Sequence, residues 1–115
     1  MKFMLSVIIF LLSYHTVQAQ IPKNGTYTYK FCEAEFNKCY RTCKIVITEN
    51  KIAVYAGTGL SSPEGELIEK GTIMKHKSGK WIIGRSKKDR HAPEIGGCSD
   101  GPTMIDFKKK MYWTC

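Results

Sequence analysis

The sequence lacks any apolar segment long enough to cross a membrane as a helix. Its longest apolar run extends from Phe3 to Leu12, about ten residues, whereas a membrane-spanning helix needs ~18 to 20. The run follows Lys2 and precedes Val17-Gln18-Ala19, so a positive start, an apolar middle and a small-residue cleavage site form a signal peptide. We therefore expect residues 1–19 to be removed and the mature chain to be secreted or periplasmic, with no transmembrane segment.

Acidic residues are scarce relative to basic ones. The chain has 18 lysines and arginines against 10 aspartates and glutamates, and loss of Lys2 leaves a net charge of about +7. This excess favours anionic partners, such as an acidic polysaccharide, a lipopolysaccharide or another envelope surface, although it also serves solubility alone. The densest basic runs, at 75–77, 87–90 and 108–110, are scattered rather than collected on one helix. We therefore expect no specific DNA recognition.

The chain also lacks the paired short spacings of structural zinc sites, since only Cys39 and Cys43 lie four residues apart. His76 and His91 are the only histidines after the signal peptide, and both fall in predicted turns where histidines are mostly solvated. We predict no metal, no cofactor and no catalytic residue. Without catalytic residues, the chain is expected to be a noncatalytic binding module. The alternatives to such a module are a small basic phosphodiesterase or ribonuclease-like enzyme that uses these two histidines as acid and base, and an enzyme inhibitor.

Five cysteines follow the predicted cleavage site: Cys32, Cys39, Cys43, Cys98 and Cys115. In an exported protein of this size the default is disulfide bonds, each of which contributes ~2 to 4 kcal/mol. We favour a bridge from Cys98 to Cys115 and one bridge among the other three. Because the number is odd, one thiol is left over. We expect a monomer, with a dimer linked through the odd cysteine as the alternative.

Residues 20–115 are expected to form a single disulfide-stabilised domain of mainly β class. The pattern predicts about six short strands in a small antiparallel meander, either barrel-like or a strongly curved sheet. Residues 26–31 alternate between aromatic and polar side chains, which is typical of a half-buried strand. Hairpins are predicted around Glu49-Asn50 and around 76–79, where asparagine and glycine tolerate the positive φ of tight turns.

The last strand is predicted to run from Thr103 to Thr114, with apolar side chains on one face. That face consists of Ile105, Phe107, Met111 and Trp113. Lys109 falls on the same face, so either a β-bulge turns it outward or it points into the mouth of a barrel.

Two segments depart from the strand pattern. In residues 33–43, Phe36, Cys39, Tyr40 and Cys43 have the spacing of an amphipathic helix, so we predict a short helix there, with an irregular loop as the alternative. Residues 86–102 form a loop of about 17 residues, longer than the ~12 to 15 that compact domains usually contain without a functional or structural reason. Since Cys98 lies in this loop, we expect a disulfide to pin it.

Four segments resemble a group of small exported bacterial proteins that have no assigned function. They carry the motifs N-G-T-Y from Asn24, H-x-S-G-K-W-I-I-G from His76, E-I-G-G-C-S-D-G-P from Glu94 and the C-terminal W-T-C. The resemblance covers most of the mature chain and implies a periplasmic or secreted setting, but no activity. A second likeness, of Gly25-Thr26-Tyr27 to the start of small lipocalin-like barrels, implies a barrel of hairpins.

Aromatic residues supply the candidate ligand-binding site. If Tyr55 and Tyr112 face outward beside lysines such as Lys108 and Lys110, their rings would stack on sugars while the lysines meet anionic groups. The sequence therefore predicts a noncatalytic binding or interaction module for an anionic ligand or surface, with these four residues as the candidate site.

Overall fold

The computed structural model describes residues 20–115, so the predicted signal peptide lies outside the described residues. Seven strands form a closed barrel in which each strand pairs with its neighbours along the chain. The strands are β1 Gly25–Glu33, β2 Lys38–Thr48, β3 Lys51–Ala56, β4 Leu67–Lys75, β5 Trp81–Gly84, β6 Thr103–Asp106 and β7 Met111–Thr114. Consecutive strands are antiparallel, and because their number is odd, β1 and β7 close the barrel as a parallel pair. The predicted mainly β, barrel-like class is confirmed.

Both predicted hairpins are confirmed. Glu49 and Asn50 connect β2 to β3, with Thr48 opposite Lys51. The positive φ of this turn falls on Glu49, at 58°, rather than on the asparagine, and the Glu49 N–H donates to Asn24 Oδ1 at 2.5 Å. The β4–β5 turn uses Gly79 with φ 91°, as its glycine predicts.

The predicted short helix at residues 33–43 is wrong. β1 extends to Glu33, residues 34–37 form a tight turn with Asn37 at φ 48°, and β2 begins at Lys38. Cys32 and Cys39 lie opposite each other in the ladder, so strand pairing and the disulfide bond between them replace local helix formation. The spacing of the four apolar residues is incidental, because Phe36 at the turn is exposed whereas Cys43 on β2 is buried.

The predicted last strand is in fact two strands joined by a turn at residues 107–110. Lys110 has a φ of 55°, and the Lys109 N–H donates to Asp106 Oδ1 at 2.8 Å, so the chain reverses and returns as β7. Phe107 tucks into the core. Lys109 is exposed in the turn, and it neither lies in a bulge nor points into the barrel.

The interior of the barrel is filled by side chains from all of its strands. The buried cluster consists of Tyr29, Cys43, Ile45, Ile47, Ile52, Val54, Ile73, Ile83, Ile105, Phe107 and Tyr112. Phe107 makes edge-to-face contacts with Tyr29 and with the half-buried Trp81, at centroid distances of 6.4 and 5.9 Å. Such pairs contribute ~0.5 to 1.5 kcal/mol beyond the burial of their area.

The long loop is pinned, as its cysteine predicts. Cys98 is disulfide-bonded to Cys115, and the Lys77 N–H donates to Arg90 O at 2.9 Å. A short 3₁₀ helix, Lys87–His91, lies within this loop. Ile82 alternates with the inward Ile83 and therefore faces outward, yet it is fully buried, which indicates that the loop covers this face of the barrel. No helix within residues 20–115 is both long and apolar enough to span a membrane.

Candidate functional site

The cysteines form the two bridges that the sequence predicts, Cys98–Cys115 and one within the first three, Cys32–Cys39. Among the cysteines, all of which lie in the described part of the chain, Cys43 is unpaired. It is 1 % exposed, and burial raises the pKa of its thiol to about 12. A buried, protonated thiol is not available to link two folded chains, so the dimer through the odd cysteine is not supported.

A zinc site built on Cys39 and Cys43 is excluded because Cys39 is oxidised to a disulfide, and metal ligation requires the thiolate. Within residues 20–115, no group of three histidine, cysteine or carboxylate side chains is placed to hold a metal ion.

His76 is buried, contrary to the expectation that it is solvated, and it holds the long loop against the barrel. Its Nε2 lies 2.8 Å from Ala92 O, which can only accept, so Nε2 carries the proton. Nδ1 then accepts from the Ser78 N–H at 3.1 Å and from the Ser78 hydroxyl at 2.9 Å. Both ring nitrogens are therefore occupied, whereas His91 is exposed.

Tyr112 does not face outward as the predicted patch requires. It lies opposite Ile105 in the β6–β7 ladder and is buried in the interior. Its hydroxyl donates to Glu69 Oε1 at 2.7 Å, and the Thr103 hydroxyl donates to Glu69 Oε2 at 3.0 Å. Burial, followed by the charge of Glu69 and this hydrogen bond, raises the pKa of Tyr112 well above its ordinary value.

Tyr55 does lie on the outer face, beside a lysine. The register of β2, β3 and β4 aligns Lys44, Tyr55 and Leu67 in one row across the sheet. A groove of about 860 Å³ runs along these three strands, with Tyr55 in its lining. Its basic lining residues are Lys51, Lys70 and Arg85.

Lys108 and Lys110 are exposed in the β6–β7 turn, which is not part of this groove. The four predicted site residues are thus separated into a turn, an outer groove and the barrel interior. Sequence periodicity did not reveal this separation, because the reversal at residues 107–110 changes which side chains of the segment face inward.

The topology instead gathers a different set of lysines. Antiparallel strands alternate in direction, so the β2–β3, β4–β5 and β6–β7 turns and the segment before β1 lie at one end of the barrel, which we call the basic end. Within the described residues its lysines are Lys23, Lys51, Lys75, Lys77, Lys80, Lys108, Lys109 and Lys110, all exposed. Its acidic residues are Glu49 and Asp106, and Asp106 already accepts a hydrogen bond within its turn.

An aromatic ring lies among these lysines. Lys75 and Trp81 are paired across β4 and β5, and the Lys75 ammonium lies 5.4 Å from the Trp81 ring. The ring in turn packs on Phe107, which holds its position. Lys51 belongs both to the basic end and to the lining of the groove, so the two basic surfaces are continuous.

A cleft of about 640 Å³ is lined by more acidic than basic side chains, unlike the basic end and the groove. It lies between the long loop and the other end of the barrel, where β4 begins and β5 ends. Its acidic lining residues are Glu69, Asp89, Glu94 and Asp100. Asp89 accepts hydrogen bonds from the Arg85 and Ser86 N–H groups, and thereby shapes the start of the loop.

Comparison with protein-family models, with curated proteins and with solved structures found no match to this chain.

Proposed function

We propose that this protein is a noncatalytic binding module for an anionic polysaccharide, which it holds at the basic end of the barrel. The observation that carries the proposal is the collection of eight exposed lysines with only two carboxylates at one end of the described chain. Like charges collected on one surface produce a positive potential that attracts a polyanion and orients its approach.

The groove along β2, β3 and β4 supports a polymeric rather than a compact ligand. It continues from the basic end through Lys51 and passes Tyr55, which Lys44 flanks in register. A chain held at the basic end would extend along this groove, where the Tyr55 ring offers a stacking surface and the lysines meet sulfate, phosphate or carboxylate groups.

The noncatalytic part of the proposal rests on the histidine geometry. A phosphodiester-cleaving pair needs an acid and a base with nitrogens free to reach the substrate. In His76 both nitrogens are bound to Ala92 and Ser78, which favours binding over cleavage.

We place this binding outside the cytosol. The two disulfide bonds are typical of an oxidising compartment, such as the periplasm or the cell exterior. N-terminal sequencing of the exported protein should give Gln20 as the first residue. Recovery of an intact Met1 on the exported protein would contradict the assignment of residues 1–19 as a cleaved signal.

The test compares two variants that each remove two positive charges. K108Q/K110Q alters the basic end, whereas K38Q/R41Q alters the opposite end, where both residues are also exposed. With heparin as the probe at low salt, we expect K108Q/K110Q to bind about 2- to 30-fold more weakly, and K38Q/R41Q to bind much as the wild type does. A Y55A variant reports on the groove, and lipopolysaccharide as a second probe shows whether an anionic glycolipid is bound as well.

Raising the salt concentration to 1 M should abolish heparin binding by the wild type, because screening weakens contacts between exposed charges. Equal losses in the two double variants would mean that only net charge matters. Equal losses, or binding that is unchanged at 1 M salt, would overturn the proposal.

A further inference from the structure

The turn between β1 and β2 exposes two aromatic rings. Phe36 is 65 % exposed and Tyr40 is 45 % exposed, and within the described residues the only other large apolar side chain of this kind is Leu67. We call the segment from Glu33 to Arg41 the hairpin tip. Exposed aromatic rings that lie close together on a small domain usually mark a contact surface.

The hairpin tip is held rigidly. Cys32 and Cys39 are bonded across the ladder with their Cα atoms 4.0 Å apart. The Ala34 N–H donates to Thr114 O at 2.8 Å, which ties the tip to β7, and the Asn37 N–H donates to Ala34 O at 3.2 Å, which closes the turn. A surface ordered in advance loses little conformational entropy when it binds a ligand.

A shallow depression of about 300 Å³ lies on this tip. Glu33, Phe36, Lys38 and Tyr40 line it. The Tyr40 hydroxyl donates to Glu33 Oε1, which fixes the direction of the ring, and the Lys38 ammonium lies 6.0 Å from the ring centroid. The depression therefore combines two aromatic rings with one hydrogen-bond acceptor and one donor.

The charges at the tip are balanced, unlike those at the basic end. Glu33 and Glu35 offset Lys38 and Arg41, so the site has no preference for a polyanion. We propose that the hairpin tip is a second binding site, which takes an uncharged pyranose unit of a glycan. The C–H face of the sugar packs on the aromatic rings, whose faces carry partial negative charge, while the hydroxyl groups hydrogen-bond to Glu33 and Lys38.

The size and chemistry of the depression favour a sugar over a protein partner. A stable protein interface buries about 800 Å² on each side, far more than four side chains supply. An apolar protein side chain would also remove water from Glu33 and Lys38 without replacing their hydrogen bonds, which is unfavourable. Sugar hydroxyls both donate and accept, and so they replace that water.

The hairpin tip is independent of the proposed polyanion site. It connects β1 to β2, whereas the basic end contains the β2–β3, β4–β5 and β6–β7 turns, and the two lie at opposite ends of the barrel. Either site can therefore fail without the other.

The test is an array of neutral and acidic glycans, probed with the intact disulfide-bonded protein. We expect binding to one or more neutral glycans that persists in 1 M NaCl, because no ion pair is involved. F36A and Y40A should each weaken this binding about 5- to 100-fold, by loss of a stacking surface. L67A, which removes the third exposed apolar side chain away from the tip, and K108Q/K110Q should bind as the wild type does.

Two outcomes would overturn this inference. One is an array on which no neutral glycan is bound while the circular dichroism spectrum shows a folded protein. The other is neutral-glycan binding that survives in an F36A/Y40A double variant, which would locate the sugar elsewhere. Because heparin binding is measured separately, loss of the neutral-glycan signal alone would leave the proposal for the basic end intact.

Discussion

The hydroxyl of Tyr112 donates a hydrogen bond of 2.7 Å to Glu69 Oε1 inside the barrel, across 43 residues of sequence. Glu69 faces inward because it lies opposite the buried Val54 in the β3–β4 ladder. Its second oxygen accepts from Thr103, so the carboxylate joins the start of β4 to β6 and β7. This hydrogen bond explains why Tyr112, which the sequence pattern predicts on the outer face of a strand, is part of the core.

Removal of the Tyr112 hydroxyl should destabilise the fold. Y112F keeps the ring but leaves one oxygen of Glu69 without this donor, and a hydrogen bond to a charged group contributes ~1.5 to 3 kcal/mol. We expect a loss of about this size in the free energy of unfolding, measured by urea denaturation. Y55F is the matched control on the outer face, and an equal loss in the two variants would contradict the role assigned to Tyr112.

Stability should fall at alkaline pH. Burial raises the pKa of Cys43 from its ordinary 9.0 to about 12, and burial together with the charges of Tyr27 and Asp106 raises that of Tyr29 from 10.0 to about 12. Both groups are neutral when protonated, so the unfolded state releases these protons first. Their contribution to stability is complete below about pH 9 and is lost as the pH rises towards 12.

Urea midpoints measured from pH 7 to pH 11 would check this dependence. A C43A/Y29F variant removes both titrating groups, so the fall between pH 9 and pH 11 should be smaller than in the wild type. The titration of lysines affects both proteins alike. Identical slopes for the two proteins would contradict the assignment of the alkaline loss to these buried groups.

The disulfide Cys98–Cys115 should contribute more to global stability than Cys32–Cys39. The two bridges span 17 and 7 residues, and the entropy lost by the unfolded chain increases with the length of the closed loop. We expect C98S/C115S to lose ~2 to 4 kcal/mol, measured as a shift in the thermal midpoint, and C32S/C39S to lose less. A larger loss in C32S/C39S than in C98S/C115S would show that native-state contacts of the hairpin tip outweigh the entropy of loop closure.

The state of the cysteines can be read directly by mass spectrometry. In the native, unreduced protein we expect no alkylation of any cysteine, and a single alkylation at Cys43 after unfolding in denaturant. Alkylation of Cys98 in the unreduced protein would contradict the bridge to Cys115.

His76 should be structural rather than catalytic. H76A leaves the carbonyl of Ala92 and the Ser78 N–H without their partner, which costs ~1 to 3 kcal/mol for each group that water does not reach. We expect faster hydrogen exchange in residues 86–97, measured by mass spectrometry, and a lower thermal midpoint. H91A, at an exposed position, should behave as the wild type; cleavage of RNA that H76A and H91A both abolish would establish the enzymatic alternative instead.

The local elements of this fold could be predicted because local residues decide them. Alternating aromatic and polar side chains specify β1, and turn-forming residues at 49–50 and 76–79 specify two hairpins. The helix prediction for residues 33–43 is wrong because the i, i+3 spacing of their apolar residues does not specify which strand lies opposite them. Pairing of Cys32 with Cys39 across the ladder decides that segment, and such pairing is not encoded in spacing along one strand.

The sequence by itself determined the class of structure, the turns at 49–50 and 76–79 and the five cysteines available for cross-linking, because strand propensity, alternation and composition act over a few residues. Tertiary structure alone decided that Tyr112 and Glu69 face inward, that Cys43 is the unpaired cysteine and that the scattered lysines meet at one end. The physical reason is that the register and closure of the barrel set which face each residue occupies. A reversal at residues 107–110 is enough to bury one predicted ligand-binding residue and to place two others among the lysines of the basic end.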